Sequence, residues 1–277
     1  MIIEGVFLKL PELLLRHVMY REQYEATLTN RLAMAVLLEL SARNVELPMN
    51  RIHIEKPYPE ISNRVDPYVD LVGLFNNVVN HNLYGMKIYN WIEAKFFGGV
   101  GRQIGHQQKV SNAGKIALDL LRLCLFVRED RSAYRSNGRY LLVVFNREPG
   151  DYVAFRRRVS DFPEREWLDI LSEPGVKQIH IDLTQEPPSF KKVFGGRFVE
   201  CNENLDLKCK VLTRTFSPIE VLPEVLYWGY LVRIVDFEIS LGNDKLIYRD
   251  TSSEFWTEKQ KETQKRLIKR VIKMQQT

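Results

Sequence analysis

The sequence predicts an α/β (α+β) chain in which a mixed central sheet is flanked by helices, followed by a C-terminal β-rich appendage and a terminal helix. Three observations predict it. Two long segments, about Glu22 to Asn44 and about Gln103 to Val127, carry apolar residues at helical spacing. Short apolar runs rich in Val, Ile, Leu and aromatic residues lie around them at strand length. The order along the chain reads helix, three strands, helix, strand, helix, strand, which builds one sheet with helices packed against it.

In the first helix Leu28, Leu32, Ala35 and Val36 form the apolar stripe, and stepping back three residues puts Glu25 on it. Arg51 to Lys56 alternates as a first strand, ended by Pro57-Tyr58-Pro59. Val69, Leu71, Val72, Leu74 and Phe75 surround Asp70 in a short apolar strand, and Asn76 to Asn82 suits a turn because Asn tolerates left-handed backbone angles. The next strand reads Ile88-Tyr89-Asn90-Trp91-Ile92-Glu93-Ala94-Lys95-Phe96-Phe97. Ala113, Ile116, Ala117, Leu120, Cys124 and Val127 stripe the second helix, and the line projects back through Lys109 and His106. Arg139 to Asn146 is a buried strand by composition, Pro163 to Leu171 a short helix, and Val176 to Leu183 another strand.

Composition sets wider bounds. The 277 residues suffice for one large domain or a core domain with an addition. A net charge of +5 permits nucleic-acid binding without requiring it. Cys124, Cys201 and Cys209 form no Cys-x-x-Cys pair, which suits reduced thiols in a cytoplasmic protein. Glu4, Lys9 and Glu12 interrupt the apolar N-terminus, so a signal peptide is not expected, and no apolar run reaches membrane-span length. There are no internal repeats.

The stretch from Val65 to Phe97 carries the chemistry. Glu93 and Lys95 sit two apart on a strand and so share a face. If the two strands pair as a hairpin, Asp70 comes beside that face, and two acids and a lysine converge on an apolar sheet. Burying such charges costs several kcal/mol, on the order of those for any unpaired interior ion. The bland reading is a Glu–Lys pair on a solvent-facing edge. Against it stand the flanking Trp91-Ile92 and Phe96-Phe97 and the glycine-rich turn into a long helix that follows.

Asp70 followed by Glu93-Ala94-Lys95 and then a helix resembles the metal-dependent PD-(D/E)xK nuclease superfamily, over roughly residues 20–183. The chain departs from the motif in having Val69 rather than Pro before Asp70, and Asp66, followed by Pro67, competes as the first acid. The resemblance implies a restriction-endonuclease-like fold and Mg²⁺-dependent cleavage of DNA, with Mn²⁺ as a substitute. Mg²⁺ prefers carboxylate oxygens and retained waters, so Asp70 and Glu93 suit it as ligands. The resemblance adds the Ala94 carbonyl as a further ligand and a catalytic glutamate on the preceding helix, for which Glu25 is the candidate ahead of Glu22 and Glu39. Lys95 would orient or deprotonate the attacking water, and either one or two metals would serve.

Gly98-Gly99-Val100-Gly101-Arg102-Gln103-Ile104-Gly105 offers backbone amides and Arg102 to a DNA phosphate; its glycine spacing is not that of a dinucleotide-binding loop. Gln103, His106 and Lys109 are further candidate DNA contacts, although a histidine on an apolar face is commonly a satisfied core residue. Arg156, Arg157 and Arg158, near Tyr152 and Phe155, suit phosphate tracking, or a solvated face paired with Asp151, Asp161 and Glu164. Pro187-Pro188 marks the expected boundary between a nuclease-like core (1–186) and a recognition or dimerisation subdomain (187–277). From Lys259 to Lys273 seven basic residues against one acidic make a basic amphipathic helix that would dock, contact DNA or pair with a second copy in a homodimer. The expected function is a DNA endonuclease of a prokaryotic restriction or defence system, with repair or mobile-element nucleases sharing the same chemistry. A non-cleaving nucleic-acid-binding module with a degenerate core and an enzyme using a nucleotide cofactor are the competing classes.

Overall fold

The computed structural model describes residues 2–15, 24–54, 56–57, 64–65, 68–70, 89–98, 104–127, 137–155, 165–194, 205–222, 225–241, 246–250, 262–263 and 265–266. Two helices come first, α1 (Ile2–Leu15) and α2 (Tyr24–Ala42), then the short strands β1 (Ile52–His53), β2 (Lys56–Pro57), β3 (Arg64–Val65) and β4 (Tyr68–Asp70). Next are β5 (Tyr89–Phe97), α3 (His106–Phe126), β6 (Asn137–Phe145), α4 (Pro149–Tyr152), β7 (Gly175–Asp182) and α5 (Pro188–Lys191). The long strands β8 (Leu205–Leu222) and β9 (Val225–Leu241) and the shorter β10 (Leu246–Asp250) follow. The chain is thus mixed α/β, as expected. The compact units are Met1–Arg102, Val127–Glu148 and Arg214–Arg233 in the first, and Gln103–Phe126, Pro149–Thr213 and Ile234–Thr277 in the second.

In the first unit the strand order is β1-β4-β5-β6-β9-β8. The sheet is mixed: β1 and β5 flank β4 antiparallel, whereas β5 and β6 run parallel over their full lengths, from Tyr89↔Asn137 to Phe97↔Phe145. All nine residues of β6 are buried. A buried strand must satisfy backbone groups on both edges, and β5 takes one edge while β9 takes the other. The C-terminal strands therefore complete this sheet, which corrects the expectation of a β-rich appendage.

The helices cover one face of that sheet. Ile3, Val6, Phe7, Leu10 and Leu14 of α1 and Leu28, Leu32, Ala35, Val36 and Leu40 of α2 join Ile92, Ala94, Phe96, Tyr140, Leu142, Val144, Tyr227 and Leu231 in one core. Each large aliphatic side chain so buried contributes about 1.5–3 kcal/mol. Glu39, on α2, stitches the helices together. Its carboxylate lies 2.6 Å from both Lys9 Nζ and Arg43 Nη2. Gly5 of α1 permits the approach, since a Cβ there would stand 2.8 Å from Glu39 Oε1.

In the second unit α3 lies so close to the α5 segment that a Cβ on Gly114 would stand 2.8 Å from the Phe190 carbonyl oxygen. Arg165 and Glu186, each 1% exposed at the side chain, form an ion pair of 2.9 Å, and Arg165 Nη1 also donates to the Ala154 carbonyl at 2.8 Å. The expected helix over Pro163 to Leu171 is a 3-10 helix, Glu166–Leu171. The units do not divide at Pro187-Pro188: Pro188 opens α5, Glu186 anchors Arg165, and Pro149–Thr213 lies within one unit. A proline at the first helical position fits because its missing N–H would be unbonded there anyway.

Candidate functional site

β5 carries the candidate residues because its sequence is apolar on both faces and rich in aromatics, which suits a strand sandwiched in a sheet. Ile92, Ala94 and Phe96 point into the core beneath α1 and α2. Alternation then places Trp91, Glu93, Lys95 and Phe97 on the opposite face. Glu93 is buried, at 5% exposure, and Lys95 is half-buried. Their Cα atoms are about 6.6 Å apart at two strand residues. The β6 positions paired with them are Leu141 and Val143, both fully buried. The setting raises the cost of an uncompensated charge and strengthens any electrostatic interaction made there.

The ends of this face are defined by other pairs. At one end Trp91 Nε1 donates to Asn137 Oδ1 at 3.0 Å, and buried Arg139 donates to the Val127 carbonyl at 3.3 Å. At the other end Phe97 stacks on Phe145 with ring centroids 5.2 Å apart, and Tyr230 of β9 meets Phe145 edge-on at 6.0 Å. Burial, and then the charge of Glu148, push the Tyr230 phenol up to about 12, so it stays protonated and able to donate at neutral pH. Tyr230 is not among the residues expected from the sequence; a lone tyrosine in an apolar strand gives no sign of which groups face it. After β5, a Cβ at Gly98 would run into the Phe96 ring, which favours a glycine there.

Asp70 is the last residue of β4 and pairs with Tyr89. The register does not bring it beside Glu93. From Tyr89 to Glu93 is four residues along β5, about 13 Å at the usual rise. Two oxygens on one Mg²⁺ are only about 4 Å apart. β4 begins with Tyr68 opposite Trp91, and Asp66 lies outside the described residues. Leu71 to Phe75 and Asn76 to Asn82 also lie outside them.

Of the helix acids, Glu25 is the second residue of α2, and Glu22 lies outside the described residues. Glu39 is buried, but its neighbours define its role. Burial raises its pKa, but the hydrogen bonds and the positive charges of Lys9 and Arg43 together outweigh it, so the carboxylate is held below its usual 4.5 as an ionised clamp. A second buried acid, Glu4, pairs with Arg233 at 3.3 Å. It lies in α1, a helix absent from the elements expected from the sequence.

In the second unit His106 opens α3 and is half-buried. Lys109 donates from Nζ to the Gly150 carbonyl at 2.6 Å, so this lysine ties α3 to the start of α4. Asn112 repeats the tie through Tyr152 O at 3.0 Å. Arg102, Gln103, Arg156, Arg157 and Arg158 lie outside the described residues. Glu93 supplies a carboxylate and Ala94 a carbonyl, oxygen donors of the hard class that Mg²⁺ takes. Among the described residues no three His, Cys, Asp or Glu side chains cluster to hold a metal, and no helix is long and apolar enough to cross a membrane. No protein-family model, curated protein or solved structure matches the chain.

Proposed function

We propose that this chain is a Mg²⁺-dependent nuclease that hydrolyses phosphodiester bonds in DNA, with Glu93 and Lys95 at its centre. The observation that carries the reading is a carboxylate only 5% exposed, two residues from a half-buried lysine on the same face of a central strand. A carboxylate in so shielded a place interacts strongly with any cation brought to it. Glu93 and the Ala94 carbonyl would hold the metal, whose bound form supplies charge neutralisation on the phosphate and acidifies a coordinated water. Lys95 holds a positive charge where it can orient that water or meet the phosphate oxygens. The aromatic and aliphatic neighbours keep bulk water from screening these interactions.

A second reading is favoured by the register at Asp70. Asp70 pairs with Tyr89, four residues along β5 from Glu93, a register that suits a nucleic-acid-binding module without cleavage activity. Supercoiled plasmid incubated with the protein separates the two. A nuclease converts it to nicked or linear forms with Mg²⁺ and leaves it intact with a chelator. A binding module retards it equally in both and cuts it in neither.

A further inference from the structure

In the second unit β7 and β8 pair antiparallel, with Gln178 opposite Lys210 and His180 opposite Lys208. The pleat sorts their side chains. Ile179, Ile181, Leu207, Cys209 and Val211 are buried on one face, whereas Gln178, His180, Lys208 and Lys210 are exposed on the other. Three other lysines of this unit are committed, since Lys109, Lys177 and Lys191 donate to the carbonyls of Gly150, Asp169 and Thr184, whereas Lys115 and Lys192 are exposed. Among the described residues no carboxylate pairs with Lys208 or Lys210. The ion-pair partner on this face among the described residues is Asp206, 3.2 Å from His180.

We propose that this exposed β7–β8 face is a contact surface for the phosphate backbone of nucleic acid, with Lys208 and Lys210 neutralising phosphates. The inference rests on the nucleic-acid reading above and assigns it a surface of the second unit. Alternate strand positions hold the Cα atoms of the two lysines about 6.8 Å apart, the axial length of two nucleotide steps at about 3.4 Å per strand. A strand backbone fixes that spacing, so less freedom is lost on binding than from a flexible loop. Gln178 adds amide donors beside Lys210, and a row of side chains along paired strands suits an extended polymer better than a small anion. Asp182 and Asp206, opposite one another at one end, repel phosphate and so limit the surface on that side.

The test is affinity for a fluorescent DNA duplex as a function of salt, with the full chain. Lys208→Ala/Lys210→Ala should lower the slope of log affinity against log salt by about 1.8, or 0.9 for each phosphate no longer neutralised, with unchanged melting temperature. Lys115→Ala/Lys192→Ala, which removes two exposed lysines elsewhere in the unit, should leave the slope unchanged. An unchanged slope in the first variant overturns the proposal, and so does an equal fall in both. Loss of binding to anionic phospholipid vesicles with DNA affinity intact also overturns it, and would assign the face to a membrane surface. Failure of this surface is distinguishable from failure of the nuclease. A wild-type slope in the first variant, with Mg²⁺-dependent cleavage by the wild-type chain, removes the surface alone. A lowered slope, with no cleavage by the wild-type chain, removes the nuclease alone.

Discussion

Glu93 and Glu39 are both acids buried against the same sheet or its helices, and their surroundings separate their roles. Glu39 has two cations at 2.6 Å and a depressed pKa, so its charge is spent on joining α1 to α2. A carboxyl whose folded pKa lies below its unfolded value adds stability above that unfolded value and loses it as the pH falls through the folded one. Glu39→Gln should therefore lower the melting temperature at neutral pH, and the difference from wild type should shrink below about pH 4.5, the ordinary value, and vanish once the pH is below the folded one. Lys9 and Arg43 are 38% and 50% exposed, so solvent screening limits the effect to about 1 kcal/mol. Melting curves across pH check this, and a difference that persists into strong acid would mean the clamp works through packing. The first metal-binding acid is a separate question. The sequence favours Asp70 because it lies in the apolar run, but the β4–β5 register puts it about 13 Å along the strand from Glu93. If Asp66 and Glu93 share the metal, Asp66→Asn should lose far more cleavage than Asp70→Asn. The reverse order, measured as single-turnover rates, would show that Asp70 is the ligand after all.

Elements are most legible where periodicity is long. The stripe predicted from Ala113 to Val127 is buried throughout in α3 and the residue after it, and α2 starts and ends within two residues of its predicted limits. Pairing partners are not legible, because alternation shows which residues share a face but not which strand lies alongside. Nothing in the pattern of β9 reveals that it lies next to β6, so the C-terminal strands read as an appendage. α1 is hidden for another reason: Ile3, Val6, Phe7, Leu10 and Leu14 fall at helical spacing, but the same apolar run, broken by Glu4, Lys9 and Glu12, also reads as an interrupted leader. That helix makes a direct prediction. Leu10 is fully buried, so Leu10→Ala should cost about 2–5 kcal/mol in chemical denaturation, whereas Leu8→Ala, at a position 75% exposed, should stay in the usual surface range of about ±0.5 kcal/mol. Equal costs would mean that α1 does not pack as described. In the second unit Gly114→Ala meets the backbone oxygen of Phe190, which cannot swing aside as a flexible side chain could. It should destabilise by about 1–3 kcal/mol despite alanine's higher helix propensity, and a neutral or stabilising change would show that the α3–α5 approach is looser.

At the scale of the molecule, the sequence discloses the chemistry of the candidate centre better than its assembly. Glu93-Ala94-Lys95 stands out because charged residues interrupt an apolar strand, and that strand is indeed central and buried. A second acid depends on register between segments distant in sequence, which periodicity does not encode. The basic stretches divide in the same way. Lys109 falls on the predicted helical line, yet its ammonium group is bound to the Gly150 carbonyl, so charge alone does not reveal its role. Arg156, Arg157 and Arg158 are best tested together: if they neutralise phosphates, their replacement by Ala should lower the salt slope by about one for each phosphate released, while sparing the rate at saturating DNA. No change in slope would place the DNA path elsewhere. The claim on which the functional account turns is that Glu93 holds the catalytic metal, and one comparison tests it most directly: single-turnover DNA cleavage in Mg²⁺ by the wild-type chain and by Glu93→Ala, with DNA affinity measured on both. The account predicts that Glu93→Ala binds DNA as the wild type does and cleaves it at least about 10²-fold more slowly, the scale on which one preorganised electrostatic group contributes to a transition state; a Glu93→Ala protein that cleaves at the wild-type rate would contradict it.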